Sequence, residues 1–167
     1  VARAVPFVGL LIAVASATAL ALAFLGQYRF DLHPCVLCIW QRWPHGAAVI
    51  LGLAAWALRG RPMVSMAMLG LAVVAELTTG GIGAFHVGVE QGWWQGTAGC
   101  GSVAAADDLA SLRALVMVQP VVRCDDVAFA LFGVSMAGWN VALAVALAGI
   151  GTAAIARDAI NGKEDRP

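Results

Sequence analysis

Charge is what this sequence has least of. Only 12% of its 167 residues are Asp, Glu, Lys or Arg, and ten acidic groups balance ten basic ones. A soluble domain carries about 25% charged residues, so this chain cannot clothe a globule in a charged shell. It has no basic cluster and no low-complexity tract, which removes the electrostatic footprint of a nucleic-acid-binding protein. Apolar runs take the place of charge. The chain is 61% hydrophobic with a mean hydropathy of +0.84. It is uncharged from Ala4 to Tyr28 and again from Val127 to Ala156. Runs of this length belong in a bilayer.

About 20 apolar residues cross the hydrocarbon core. The first span is expected over about 6–25, as a retained helix rather than a signal peptide, because no convincing small-residue cleavage site follows it. Arg42 and Arg59 bound only 16 uncharged residues, too few for a second span. Starting near Cys38 gives 21 residues and places Arg42 one turn inside the membrane. The third span is expected over about 62–85 and the fourth over about 131–156, with the start of the last uncharged run lying in the interface. The expected fold class is all-α and integral to the membrane: a single domain over 1–167, built as a four-transmembrane-helix bundle. Its long outer loop, about 86–130, is glycine-rich at first. Between Asp107 and Val118, Leu109, Leu112, Leu115 and Val116 recur at helical spacing, which predicts a short amphipathic helix on the membrane surface, ended by Pro120.

Four spans return both termini to one side. Arg3, Arg59, Arg61, Arg157, Lys163 and Arg166 then face Arg29, Arg42, Arg113 and Arg123 across the membrane. The side with six cations is expected to be cytoplasmic. All four cysteines, Cys35, Cys38, Cys100 and Cys124, then lie outside, where disulfides persist.

Cys35-Val36-Leu37-Cys38 is a C-x-x-C pair at a membrane edge, and Cys100 and Cys124 make a second candidate pair. Pro34 suits the first turn of a helix, so the cysteines are expected near a helix N-terminus, where unpaired N–H groups favour thiolate. Arg42 lies one turn beyond Cys38. It would favour a thiolate there and polarise an oxygen of an acceptor, or else snorkel to the headgroups. Zinc is disfavoured because 23 residues separate Cys100 from Cys124, which is no knuckle. Haem attachment needs C-x-x-C-H, and residue 39 is Ile. A structural disulfide remains open for Cys100–Cys124 and less so for Cys35–Cys38, whose small ring adds little loop-closure entropy. No metal site is expected.

The run Pro34-Cys35-Val36-Leu37-Cys38-Ile39-Trp40-Gln41-Arg42 resembles the signature of the DsbB family, bacterial membrane proteins that reoxidise the periplasmic dithiol oxidase DsbA. Four spans, the position of the C-x-x-C, a loop cysteine pair and the following Leu131-Phe132-Gly133 extend the resemblance over nearly the whole chain. It implies a quinone-dependent protein-dithiol oxidase in the bacterial inner membrane, with ubiquinone or menaquinone as acceptor and a DsbA-like thioredoxin-fold protein as partner. By position Cys100 would form the mixed disulfide with that partner and Cys124 would be its internal partner. Cys35 would exchange with the loop pair, Cys38 would meet the quinone as a thiolate, and Arg42 would be the quinone-side arginine. DsbA is a strong oxidant, at about −120 mV, so its reoxidation needs a still stronger final acceptor. The family commonly has Tyr and Glu where this chain has Trp40 and Gln41. Gln41 is expected to leave Arg42 freer to act on the acceptor. The alternative is a non-catalytic four-helix scaffold whose cysteines form static disulfides or a metal site.

Glu76 falls in the middle of the third span, and is expected to be protonated or hydrogen-bonded within the bundle rather than part of a proton route. His86 and Glu90, four apart, read as a helix-end pair. Trp93, Trp94 and Trp139 read as interfacial aromatics.

Overall fold

A computed structural model of the chain describes residues 4–100 and 122–164. Four helices account for most of them: α1 Val5–Arg29, α2 Val36–Ala57, α3 Pro62–Glu90 and α4 Met136–Glu164. The amphipathic helix expected between Asp107 and Val118 lies outside the described residues.

Each helix start has a local cause. Pro6 and Pro62 occupy the first turns of α1 and α3, where a missing N–H costs nothing. The N-terminus of α1 is held from across the bundle: Ala4 and Val5 donate their N–H groups to the two carboxylate oxygens of Asp158 on α4, both at 3.1 Å. Cys35 itself is the N-cap of α2, with extended backbone and a sulfur that accepts from the N–H of Cys38 at 3.3 Å. Pro34 therefore sits one residue before the cap, not in the first turn. α3 runs on to Glu90, past the boundary expected near 85. A Cβ on Gly88 would collide with the Trp94 ring, so a bare backbone there lets the indole fold back and donate to the carbonyl of Phe85 at 2.9 Å.

The last uncharged run does not become helical at 131. Ala130–Leu131 pairs antiparallel with Val134–Ser135 around Phe132 (φ 54°) and Gly133 (φ 77°). Positive φ at both central residues is the signature of a two-residue hairpin turn that matches strand twist. Ser135 then caps α4 by accepting from the N–H of Gly138 at 3.1 Å.

α2 packs against α1 and α3, α3 packs against α4, and α1 closes the bundle against α3 and α4. The α1–α2 contact is backbone on backbone. A Cβ on Gly52 would strike the carbonyl of Gly9, and one on Gly9 would lie 2.8 Å from the Cβ of Ala55. Small residues permit such approach where lipid supplies no hydrophobic drive between helices. The bundle is also apolar outside and polar within. Phe7, Leu22, Trp43, Ile50, Val74 and Val145 are more than half exposed, whereas Ser16, Gln41, His45, Glu76, Thr79 and His86 are buried. Water would reverse that arrangement.

Among the described residues, α1, α3 and the Met136–Asn161 part of α4 are long and apolar enough to cross a membrane. α2 is not in that set; its first half carries Gln41, Arg42, Pro44 and His45.

Candidate functional site

The four cysteines gather at one end of the bundle. Cys100 and Cys124 are joined, with Cα atoms 5.2 Å apart, while Cys35 and Cys38 are free thiols with sulfurs 3.0 Å apart. Both pairs belong to one apolar cluster, in which Cys35, Leu37, Val89 and Cys124 are buried and Val36, Cys38, Cys100 and Val122 pack around them. Cys124 is 1% exposed and Cys35 5%; Cys38 is the more open of the two free thiols. The bridge thus lies against the dithiol, although 60-odd residues of helix and loop separate them in sequence.

The sulfur of Cys35 is prepared for negative charge. The Cys38 thiol beside it, the Nε2 of His86 at 3.5 Å and the N–H of Cys38 all favour its thiolate, and together they outweigh burial. They hold its pKa at about 4, against 9.0 for an ordinary thiol. In the dithiol state the charge therefore resides on Cys35, with Cys38 as the proton-bearing neighbour.

His86 is the residue whose importance the sequence concealed. Its pairing with Glu90 is present, Nε2 to Oε1 at 3.8 Å, and Glu90 is anchored in turn by the Ser135 hydroxyl at 2.5 Å. On the other side of the ring, Gln41 lies 3.1 Å from Nδ1. The direction of this contact follows from its neighbours. Gln41 Nε2 also donates to the carbonyl of Leu37 at 3.2 Å, and a carbonyl can only accept. That end of the amide is therefore the donor, Nδ1 is the acceptor, and the hydrogen of neutral His86 is on Nε2, facing Cys35.

The chain of contacts continues inward. Gln41 Oε1 accepts from Asn140 Nδ2 at 2.6 Å, and the same nitrogen donates to the hydroxyl and carbonyl of Thr79 at 3.1 and 3.3 Å. Thr79 spends its own hydrogen on the carbonyl of Gln41 at 3.0 Å. Asn140 Oδ1 then accepts from His45 Nε2 at 2.7 Å. His45 Nδ1 lies 3.5 Å from Glu76 Oε1, which accepts from Ser16 at 2.6 Å. Glu76 thus does face the bundle with a hydrogen bond. A signal for this network was present in the sequence: Glu76, Thr79, Gly83, His86 and Glu90 repeat at three- and four-residue intervals, which puts them on one face of α3.

Arg42 sits on a different face. Its guanidinium donates to Gln27 Oε1 at 2.6 Å and lies over the Phe24 ring at 4.8 Å, both on α1. The expectation that Gln41 would release Arg42 is corrected: adjacent helical residues do not face each other, and Gln41 points to His86 and Asn140 while Arg42 is engaged by Gln27. The sulfurs of Cys35 and Cys38 and a ring nitrogen of His86 all lie within 4.8 Å of one another, so these three are the metal-competent donor set among the described residues. Sequence spacing, which argued only about two C-x-x-C knuckles, could not assemble that set.

A helical membrane bundle that brings a dithiol and a disulfide into one cluster defines a class, the membrane thiol oxidoreductases. The profile of the family described as "Disulfide bond formation protein DsbB" matches residues 6–154, and the chain belongs to that family. It is also similar to a protein named "Uncharacterized protein RP370" from Rickettsia prowazekii (strain Madrid E), 27% identical over 135 residues that cover 79% of this chain and 77% of the relative. No solved structure matches the chain.

Proposed function

We propose that this protein reoxidises a DsbA-like, thioredoxin-fold dithiol protein in the periplasm and delivers the electrons to a membrane quinone. The observation that carries the reading is the packing of the Cys100–Cys124 bridge against the free Cys35–Cys38 thiols in one apolar cluster. In this scheme α2 also crosses the membrane, as the second of four spans, both termini are cytoplasmic, and the cysteines face the periplasm of a bacterial inner membrane.

Two exchanges balance the chemistry. A partner thiolate attacks the Cys100–Cys124 bond through Cys100; the partner leaves as a disulfide, and Cys100 and Cys124 remain as thiols. Those thiols then reduce the Cys35–Cys38 disulfide, through a mixed disulfide to Cys35, and their own bridge reforms. That second step ends in the pairing the structure holds: loop pair bridged, C-x-x-C pair reduced. While Cys35 is tied in a mixed disulfide, the thiolate of the pair can only be Cys38. A bound quinone, ubiquinone or menaquinone, supplies a two-electron, two-proton acceptor.

The residues present suit such a group. Cys38 is the more accessible sulfur, Ile39 and Trp40 beside it are nearly half exposed, and Arg42 offers N–H donors one turn deeper. Purified protein in detergent, given a reduced thioredoxin-fold partner, should convert one quinone to quinol per partner disulfide formed. Quinol formation that persists in both Cys35→Ala and Cys38→Ala would sink the proposal.

The donor set of Cys35, Cys38 and His86 favours a second reading, a static metal centre. Thiol trapping separates the two. A metal centre keeps Cys35 and Cys38 reduced and unreactive while partner and quinone are cycled, whereas the relay exchanges them between thiol and disulfide.

A further inference from the structure

Cys35, Cys38 and His86 have nearly the spacing of a metal site and the wrong arrangement of hydrogens for one. Zinc takes sulfur at about 2.3 Å and nitrogen at about 2.0–2.1 Å, so a tetrahedral ion holds a sulfur and a nitrogen about 3.6 Å apart and two sulfurs about 3.8 Å apart. Cys35 Sγ and His86 Nε2 stand 3.5 Å apart, close to that edge. The two sulfurs stand 3.0 Å apart, and Cys38, the less buried of them, can widen the gap by turning about its Cα–Cβ bond.

A histidine holds such an ion through a nitrogen lone pair, and in neutral imidazole only one of the two nitrogens has it. The nitrogen that faces the sulfurs is Nε2, and it carries the hydrogen. Gln41 is the cause. Its amide donates to Nδ1 at 3.1 Å, so the lone pair is engaged on the far side of the ring. The amide is fixed at both ends: the Leu37 carbonyl accepts from Nε2 at 3.2 Å, and Asn140 Nδ2 donates to Oε1 at 2.6 Å. Asn140 is fixed in turn by the Thr79 carbonyl. Turning Gln41 over would set its oxygen against one carbonyl and its hydrogens against those of Asn140, at a buried position. On the near side of the ring, the Cys35 sulfur and Glu90 Oε1, at 3.8 Å, are both acceptors that hold the hydrogen on Nε2.

We propose that Gln41 prevents Cys35, Cys38 and His86 from holding a thiophilic divalent cation, zinc or cadmium, together, and so leaves the reduced pair open to thiol exchange. With Gln41 in place such a cation meets two sulfurs and solvent. A carboxylate at position 41 reverses the outcome. It accepts from Nδ1 and from Asn140, the imidazole hydrogen moves from Nε2 to Nδ1, and the freed lone pair becomes the third donor. Metal-binding histidines regularly donate their other N–H to a carboxylate or carbonyl, and losing that partner costs about tenfold to hundredfold in affinity. Coordination changes no oxidation state: the cation takes two thiolate sulfurs, and the Cys38 hydrogen leaves as a proton. Only the reduced pair is required, and the structure holds it.

The test titrates cadmium into the full chain in detergent, prepared with Cys35 and Cys38 reduced and Cys100–Cys124 bridged. Sulfur-to-cadmium charge-transfer absorbance is read against a competing chelator. Mildly alkaline buffer keeps Cys35 ionised with or without His86. Gln41→Glu, a variant of equal size, should bind cadmium about tenfold to hundredfold more tightly than the wild type. Adding His86→Ala should abolish that gain, while His86→Ala alone should leave the wild-type affinity nearly unchanged. Gln41→Leu, which frees Nδ1 without offering an acceptor, should tighten binding less than Gln41→Glu. Nitrogen NMR of the unmodified protein needs no variant: His86 should keep its hydrogen on Nε2 when cadmium is added. Loss of that hydrogen, or a wild-type affinity that falls about tenfold with His86→Ala, overturns the proposal and favours the static metal centre. Equal affinities in the wild type and Gln41→Glu overturn it as well. A chain that gives the expected cadmium results and forms no quinol would fail the relay reading and not this one.

Discussion

Gln41 donates to Nδ1 of His86 at 3.1 Å, and that contact decides which ring nitrogen faces Cys35. With Nδ1 occupied as an acceptor, the hydrogen on Nε2 is directed at the sulfur 3.5 Å away. A side chain with no sulfur contact thus orients the imidazole that joins the Cys38 thiol in favouring a thiolate at Cys35.

His86→Ala should therefore make Cys35 a more ordinary thiol. In the wild type the thiolate is present above about pH 4 and is lost as pH falls through that value. Its alkylation should then be nearly flat from pH 5 to pH 8. Losing a hydrogen bond to a charged group costs about 1.5–3 kcal/mol, so the variant's thiolate should disappear one to two pH units sooner on acidification. Iodoacetamide labelling of Cys35 at about pH 5 should fall twofold to tenfold relative to the wild type.

Gln41→Leu tests the same relationship from the amide side. It removes the nearest of the three acceptors of Asn140 Nδ2 and frees Nδ1 of His86 to take a proton. We expect a loss of about 1–3 kcal/mol of stability in detergent denaturation, and a nitrogen NMR spectrum of His86 that no longer shows a single tautomer. A retained Nε2–H signature would mean that Glu90 alone orients the ring.

Arg42→Ala should raise the apparent KM for quinone while leaving partner exchange at Cys100–Cys124 nearly unchanged, because Arg42 lies on the α1 side and outside the cysteine cluster. Gln27→Ala should produce a weaker change of the same kind, since it removes one anchor and leaves the guanidinium in place. Quinone kinetics indifferent to both substitutions would make Arg42 a purely structural tie between α1 and α2.

Gly52→Leu should separate α1 from α2. Any Cβ at 52 meets the Gly9 carbonyl, which is backbone and cannot swing aside. Overpacking of this kind costs about 1–3 kcal/mol, sometimes more. Thermal unfolding in detergent should show it, and labelling of Cys35 should change little, because the contacts of that sulfur, Cys38 and His86, lie toward the opposite end of α2 from Gly52.

Much of the cysteine end was readable as chemistry before it was readable as geometry. C-x-x-C followed by arginine at the start of an uncharged run carries its meaning locally, since a helix start and one helical turn are set by neighbours in sequence. The partner of that motif is less local. His86 read as a helix-end pair with Glu90 because sequence shows the i,i+4 relation and not the sulfur that α2 brings against the same ring. Gln41 was misplaced beside Arg42 for a similar reason: adjacency in sequence became opposition around a helix.

Composition and run length alone determined that this is a helical membrane chain, because burying so many apolar residues without charge leaves no soluble solution, and a backbone in lipid must satisfy its own hydrogen bonds. The C-x-x-C with its following arginine marked the thiol chemistry and the family resemblance. Only the tertiary structure decided which polar residues turn inward together, which sulfur carries the charge, and which histidine touches it. Those depend on the rotation of each helix about its axis and on hydrogen-bond directions anchored by the carbonyls of Leu37 and Thr79, and neither is encoded by any one segment.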